Sequence, residues 1–293
     1  MKALHAACGL AAAACAGIWW IALAGSREPL LQVVFLDVGQ GDAAVARTPG
    51  GRVLIVDCGG ATPTSDAGRS AVAPWLRRQG IRSVDALALT HADKDHIGGA
   101  LAVIAAVPAR RVLVPAGAPG SPDMDRVLAQ AQDRGAVVIP LTRGQVVDFR
   151  DGSAAEVLSP AGVPRGSRSP DNDSSLVLRI RYGRTSLLLT GDAELAAESD
   201  MVRGLPSLAA DVLKAGHHGS LTSTGERFLA AVQPRAAIIS VGRSNAFGHP
   251  HPLVLRRLEA RGIRVFRTDQ HGAITVVSNG RALVVRAERP ARL

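Results

Sequence analysis

Leu87-Ala88-Leu89-Thr90-His91-Ala92-Asp93-Lys94-Asp95-His96-Ile97-Gly98-Gly99 is the stretch that decides the reading of this chain. An apolar, strand-like run ends in four side chains that commonly ligate divalent metals. A Gly-Gly pair and an alanine-rich helical stretch follow. Packing does not call for two histidines and two aspartates in six residues, whereas a metal site does, because imidazole and carboxylate are the usual nitrogen and oxygen donors. The competing reading is a polar surface loop. It loses ground because the cluster sits at a strand-to-helix junction and because further donors recur where later strands end.

Those later donors are Asp192 in Leu187-Leu188-Leu189-Thr190-Gly191-Asp192, His217 and His218 in Lys214-Ala215-Gly216-His217-His218-Gly219-Ser220, and His249 in Gly248-His249-Pro250-His251-Pro252. Singly, each reads as an ordinary turn. Taken together with His91, Asp93, Asp95 and His96 they suffice for two metal ions, on loops carried by a rigid sheet.

Working outward, strands are expected over Leu31–Asp37, Ala43–Arg47, Arg52–Asp57, Val84–Thr90 and Arg111–Val114, and around Val137–Pro140, Val146–Phe149 and Ala155–Leu158. Further strands are expected over Ser175–Tyr182, Thr185–Thr190, Ala210–Ala215, Ala236–Val241 and Val265–Thr268, with a last hairpin over Ala273–Arg286. Helices are expected over Ala67–Gln79, Gly99–Ala106, Asp123–Arg134, Glu194–Val202 and Leu253–Arg261. Ala161–Asp173, rich in Gly, Pro, Ser and Asp, reads as a mobile loop. No repeat of solenoid period is visible. The pattern predicts one α/β domain with two β-rich halves and outer helices, over about residues 30–287.

Composition narrows the class. The three cysteines show no pairing framework, so disulfides do not organise the fold. The net charge of +9 is carried almost entirely by arginine, the only lysines being Lys2, Lys94 and Lys214. A basic surface favours anionic partners, although an arginine-rich codon usage would give the same balance. Residues 1–25 read as a signal peptide or a single membrane anchor: Ala3–Gly25 is almost continuously apolar, and Ala22-Leu23-Ala24 matches a cleavage site. Either outcome places the domain outside the cytoplasm.

The ordered set of motifs resembles the ComEC-like branch of the metallo-β-lactamase superfamily, that of the C-terminal domain of a DNA-uptake protein. It comprises Phe35-Leu36-Asp37-Val38-Gly39-Gln40-Gly41-Asp42-Ala43, Val56-Asp57-Cys58-Gly59-Gly60 and Thr90 through Gly99. It continues with Asn172-Asp173-Ser174-Ser175-Leu176-Val177-Leu178, Thr190-Gly191-Asp192, Leu213 to Ser220, Gly248 to Pro252 and Arg267-Thr268-Asp269-Gln270. The resemblance implies a four-layer αββα sandwich with a metal site at one edge of the two sheets. It implies that His91 and Asp93 bind a first ion, that Asp95 and His96 bind a second, and that Asp192 bridges them. The last ligand is His217 or His249, His217 ranking first. Asp95 and His218 are the catalytic candidates, His218 by protonating the leaving group or orienting substrate. Asp37 and Asp42 are expected to fix loops beside the site. The superfamily's intermediate histidine has no counterpart here; Asn172-Asp173-Ser174 occupies that region. Carboxylate in place of imidazole at Asp93 hardens the site, so two Mn²⁺ or Zn²⁺ ions are expected.

The function implied is a metal-dependent hydrolase, specifically a phosphodiesterase acting on DNA outside the cytoplasm in connection with competence. The alternatives are a hydrolase of a small ester, lactone or phosphodiester, and a non-catalytic DNA-binding module. The membrane is an expected partner through the N-terminal segment; no protein partner is named by the sequence.

Overall fold

The computed structural model describes residues 29–290. The N-terminal segment expected to be a signal or anchor lies outside these residues. Among the described residues no helix is long and apolar enough to cross a membrane.

Seventeen strands follow in chain order among the described residues. The first eight are β1 (Leu31–Phe35), β2 (Ala44–Arg47), β3 (Val53–Val56), β4 (Ala61–Thr62), β5 (Ser65–Asp66), β6 (Ala86–Ala88), β7 (Arg111–Pro115) and β8 (Val137–Leu141). Then come β9 (Val146–Asp148), β10 (Ser153–Ser159), β11 (Val177–Tyr182), β12 (Thr185–Leu189), β13 (Val212–Lys214), β14 (Ala236–Ile239) and β15 (Arg264–Arg267). The chain closes with β16 (Ile274–Ser278) and β17 (Leu283–Ala287). One sheet has the order β17-β16-β1-β2-β3-β6-β7-β8, the other β15-β14-β13-β12-β11-β10-β9, and β4-β5 form a small ribbon. The two halves of the chain thus build one sheet each, and the final hairpin returns to the first.

Within each half the antiparallel meander gives way to parallel strands joined through helices. β3, β6, β7 and β8 run parallel, as do β12 to β15. This is what short apolar runs alternating with helical stretches dictate.

Three separate apolar layers establish the αββα order. Between the sheets lie Leu31, Val33, Phe35, Leu54, Val56, Leu178, Ile180, Leu187 and Leu189. Between the first sheet and its helices lie Val34, Val53, Ile55, Leu76, Leu87, Val103 and Ile104. Between the second sheet and its helices lie Leu188, Leu213, Met201, Phe228, Leu229, Val254 and Leu258. The period of two is visible within single strands: in β1, Val33 faces the partner sheet and Val34 the helices.

The structure departs from the sequence expectations at a few places. The 161–173 segment does not stay loop to its end. Pro170–Asp173 forms a helical turn that buries Asn172 and Asp173. The helix Glu226–Val232 and the single turn Thr268–His271 carry no strong start or stop signals and were not expected.

Candidate metal centre

The site forms where strands of both sheets end. His91 follows β6 in an extended segment. Asp93 is extended too (φ −69°, ψ 145°), so the two side chains fall on the same side. The turn Lys94–Ile97 then swings Asp95 and His96 round to the same place. Asp93 occupies the N-cap position of that turn but makes no side-chain cap bond, which leaves its carboxylate to the site. Gly99 lets the turn dock: a Cβ there would lie 2.3 Å from the Cys58 carbonyl oxygen. Gly41, at φ +126°, brings its backbone so near that a Cβ would sit 2.1 Å from the Asp95 carbonyl oxygen.

His96 is fully buried and held at both ends. Its Nδ1 lies 2.8 Å from Asp57 Oδ2, while its Nε2 lies 3.1 Å from Asp192 Oδ1 and 3.4 Å from His218 Nε2. Asp57 also accepts the Thr90 backbone N–H (2.8 Å) and hydroxyl (2.7 Å), which fixes the carboxylate. His218 is arranged in the same way. Its Nδ1 lies 2.9 Å from the Ser240 carbonyl oxygen, and its Nε2 is 3.1 Å from Asp95 Oδ2 and 3.4 Å from Asp192 Oδ2. A histidine whose Nδ1–H is given to a carboxylate or carbonyl, with Nε2 directed at a cluster of acceptors, has the disposition of a metal ligand.

The pair His217-His218 takes left-handed backbone angles at both residues (φ 44° and 52°). Such conformations cost about 1 kcal/mol or more each for non-glycine residues, and here they turn the two rings in different directions. His218 goes into the cluster. His217 stays at the mouth, its Nδ1 2.9 Å from Glu194 Oε1 and its Nε2 3.8 Å from Asp192 Oδ2. Its ring is 5.5 Å from that of His249, which is 6.5 Å from that of His218. His91 packs against His96, ring to ring 4.2 Å, with Nδ1 3.0 Å from Thr90 Oγ1. The ring nitrogen His91 Nε2 is buried with no hydrogen bond, Asp93 Oδ2 being 3.5 Å away.

Electrostatics follow from the crowding of carboxylates. With only protons to balance it, burial works against charge on every group, yet the opposite charges prevail. His96 is raised well above the usual histidine range by Asp192 and Asp57. His218 is raised to about 9, chiefly by Asp192, Asp42 and Asp95. Asp95 is held down at about 2 by His218 and His96, and Asp192 is held well below the usual range by His218, His96 and Lys214. His249 is lowered by burial and by its histidine neighbours.

These residues fit a divalent cation. Ligand atoms of Asp42, His96, Asp192 and His218 all lie within 4.8 Å of one another, and all four residues are buried. Asp42 Oδ1, His91 Nε2 and His249 Nδ1 are buried without a hydrogen-bond partner. Oxygen and imidazole donors with excess negative charge suit ions such as zinc or manganese.

The structure brings His91, Asp93, Asp95, His96, Asp192, His217 and His218 to one place, with His249 at its rim. It puts His218, expected from sequence as a catalytic rather than a ligating residue, in the buried cluster. The Asp37 carboxylate accepts from the Arg289 guanidinium (2.9 Å). The Asp42 carboxylate enters the cluster and pairs with the Lys214 ammonium. Asn172 stands beside His217, its Nδ2 3.2 Å from Glu194 Oε1 and 3.5 Å from His217 Nδ1. Asp173 is committed elsewhere, accepting the Glu194 and Ala197 backbone N–H groups (3.1 Å each) at the start of a helix. Ser175 Oγ accepts the Asp192 N–H (3.1 Å) and so sets the bridging candidate in place.

Sequence reasoning missed the roles of Asp57, Lys214 and Glu194. Lys214 is fully buried. It donates to the Gly191 carbonyl (2.8 Å) and lies 3.5 Å from Asp192 Oδ1. Burial pushes its ammonium down, but Asp42 and Asp192 hold it above the ordinary lysine value. A signal was present: this lysine, one of three in a chain that mostly uses arginine, ends a strand just before two histidines.

Comparison with known proteins agrees with the geometry. The family model "Metallo-beta-lactamase superfamily" matches residues 36–243. The ComE operon protein 3 of Bacillus subtilis is 41% identical over 256 residues, which is 83% of this chain and 32% of that protein. The competence protein ComA of Neisseria gonorrhoeae is 35% identical over 83% of this chain and 31% of its own length. The chain therefore spans less than a third of the length of these curated relatives. Among solved structures, Zn²⁺-bound PqqB from Methylobacterium extorquens has a TM-score of 0.55 at 14% identity, over 83% of this chain and 99% of that one. This last likeness speaks to the fold.

Proposed function

We propose that this chain, which belongs to the metallo-beta-lactamase superfamily and is a metal-dependent hydrolase by family, is a phosphodiesterase that cuts DNA outside the cytoplasm in support of DNA uptake. The observation that carries the hydrolytic reading is the convergence of His96 and His218 Nε2 with Asp95 and Asp192 between the ends of two sheets. DNA as substrate is supported by the competence proteins among the relatives and by the net charge of +9.

In this reading His91, Asp93 and Asp192 would hold one ion, and Asp95, His96, His218 and Asp192 would hold the other. When bound, the two ions supply an acidified water and neutralise charge on the reacting phosphate. Asp57 and the Ser240 carbonyl keep protons on Nδ1 of His96 and His218, so that Nε2 of each is free to ligate. Lys214 offsets the mutual repulsion of Asp42 and Asp192 and ties the 191 turn to β13. His217, oriented by Glu194 and reaching the mouth, is placed to give a proton to the departing oxygen.

A small-ester hydrolase is the second reading. It is favoured by a cavity of about 170 Å³ beside His91, lined in part by Val114, Pro115, Met124 and Leu128. Mn²⁺- or Zn²⁺-dependent cleavage of labelled single- and double-stranded DNA, beside Asp95→Ala, tests the choice. Cleavage lost in the variant supports the nuclease. Turnover of small esters without DNA cleavage supports the second reading. DNA binding that survives Asp95→Ala, with an inert wild type, points to a non-catalytic module.

A further inference from the structure

Aromatic side chains are scarce in this chain, 3% of residues, and the described phenylalanines are buried with one exception. Phe35, Phe149, Phe228 and Phe266 are between 1% and 9% exposed, whereas Phe247 is 67% exposed. Scattered apolar residues on a surface need no explanation. Phe247 is set apart by where and how it is held.

Its ring is stacked on His249, centroid to centroid 5.8 Å with 26° between planes, and the His249 ring is one neighbour away from both His217 and His218. The loop that carries it is braced. Asn245 Nδ2 donates to the carbonyls of Gly242 (3.0 Å) and His249 (2.7 Å), and its Oδ1 accepts the N–H groups of Phe247 (3.2 Å) and His249 (3.0 Å). The two flanks are pinned to the site: the Gly242 N–H donates to Gln40 Oε1, and the His251 N–H to the Gly219 carbonyl. A loop tied at this many points holds the ring out into solvent by construction. Arg243, exposed in the same loop, donates to the Asp269 carbonyl (3.2 Å), so the loop also carries a positive charge.

We infer that Phe247 is a stacking platform for a nucleobase of single-stranded nucleic acid, engaging a nucleotide beside the one whose phosphodiester reaches the metal centre. The inference rests on the nuclease reading above. A planar base laid on the outer face of Phe247 extends the stack already formed with His249. Bases of a duplex are covered by their neighbours, so a ring on a loop can take only a base that is unstacked. Stacking on an aromatic side chain discriminates little between bases, which suits a degradative site.

The test is fluorescence anisotropy on the full chain in EDTA, so that no cleavage intervenes. Labelled oligothymidylate is compared with an abasic oligomer of the same length, for wild type, Phe247→Ala and Phe247→Trp. Expected is a roughly tenfold weakening of thymidylate binding in Phe247→Ala, recovery in Phe247→Trp, and abasic binding alike in all three. Equal losses on both oligomers, or no loss on thymidylate, overturn the platform. Wild-type cleavage of DNA without base-dependent binding overturns it while leaving the nuclease reading intact. Base-dependent binding through Phe247 by a chain inert with Mn²⁺ and Zn²⁺ upholds the platform and removes the nuclease reading alone.

Discussion

Replacing Asp57 by asparagine should separate holding a ligand from being one. Asp57 supports a ligand: it accepts three bonds, the Thr90 N–H on Oδ1, and the Thr90 hydroxyl and His96 Nδ1 on Oδ2. Its backbone is left-handed (φ 59°), a conformation that asparagine tolerates well, so the change is confined to chemistry. The amide keeps one oxygen for the Thr90 N–H. Its NH₂ replaces the oxygen that faced His96, and a donor there draws the imidazole proton from Nδ1 to Nε2, the atom that must be bare to ligate. Loss of such a supporting carboxylate weakens metal affinity about 10- to 100-fold, equivalent to roughly 1.4–2.7 kcal/mol. Competition against a fluorescent chelator would measure it, with circular dichroism confirming the fold. Unchanged affinity in a folded Asp57→Asn chain would refute the orientation argument.

Two further outcomes are expected. Lys214→Met leaves Asp42 and Asp192 buried without their ammonium and should destabilise the metal-free chain by about 3–5 kcal/mol. Denaturant titration in EDTA should show the loss, and saturating Mn²⁺ should narrow it, since the ion offsets the same charges. Glu198, 2% exposed, accepts the Thr224 and Gly225 N–H groups, and burial pushes its carboxyl up from the ordinary 4.5 to about 7. A raised carboxyl pKa means that the folded chain holds the extra proton, so its contribution is full below about pH 4.5 and declines as pH rises through 7, by about 3 kcal/mol. Glu198→Gln should remove that part of the slope between denaturation midpoints at acid and alkaline pH; an identical slope in the variant would contradict it.

What the sequence made legible was whatever is written locally. The run from Leu87 to Gly99 announces itself because an apolar strand stops abruptly at donors, and the alternating periods mark most strands and the longer helices. Asp57 acts across 39 positions on His96, and Lys214 across 23 on Gly191; nothing in their neighbours shows those pairings. That His218 is the ring in the buried cluster could not be read from the His-His pair, because it depends on two left-handed backbone angles that send the two rings different ways. The helix Glu226–Val232 went unseen because it has only seven residues and ends on Gln233 in a left-handed conformation, where glycine would have marked the stop.

β1 lies between β2 and β16 in the first sheet, Leu31 pairing with Ser278. Until residues 274–278 arrive, one whole side of β1 presents open hydrogen-bonding groups to any passing strand. The first sheet can start early but is closed only by a strand far along the chain from β1, which makes this a slow topology to complete. A truncation that removes the final hairpin would leave the metal ligands in place and produce an adhesive, self-associating protein.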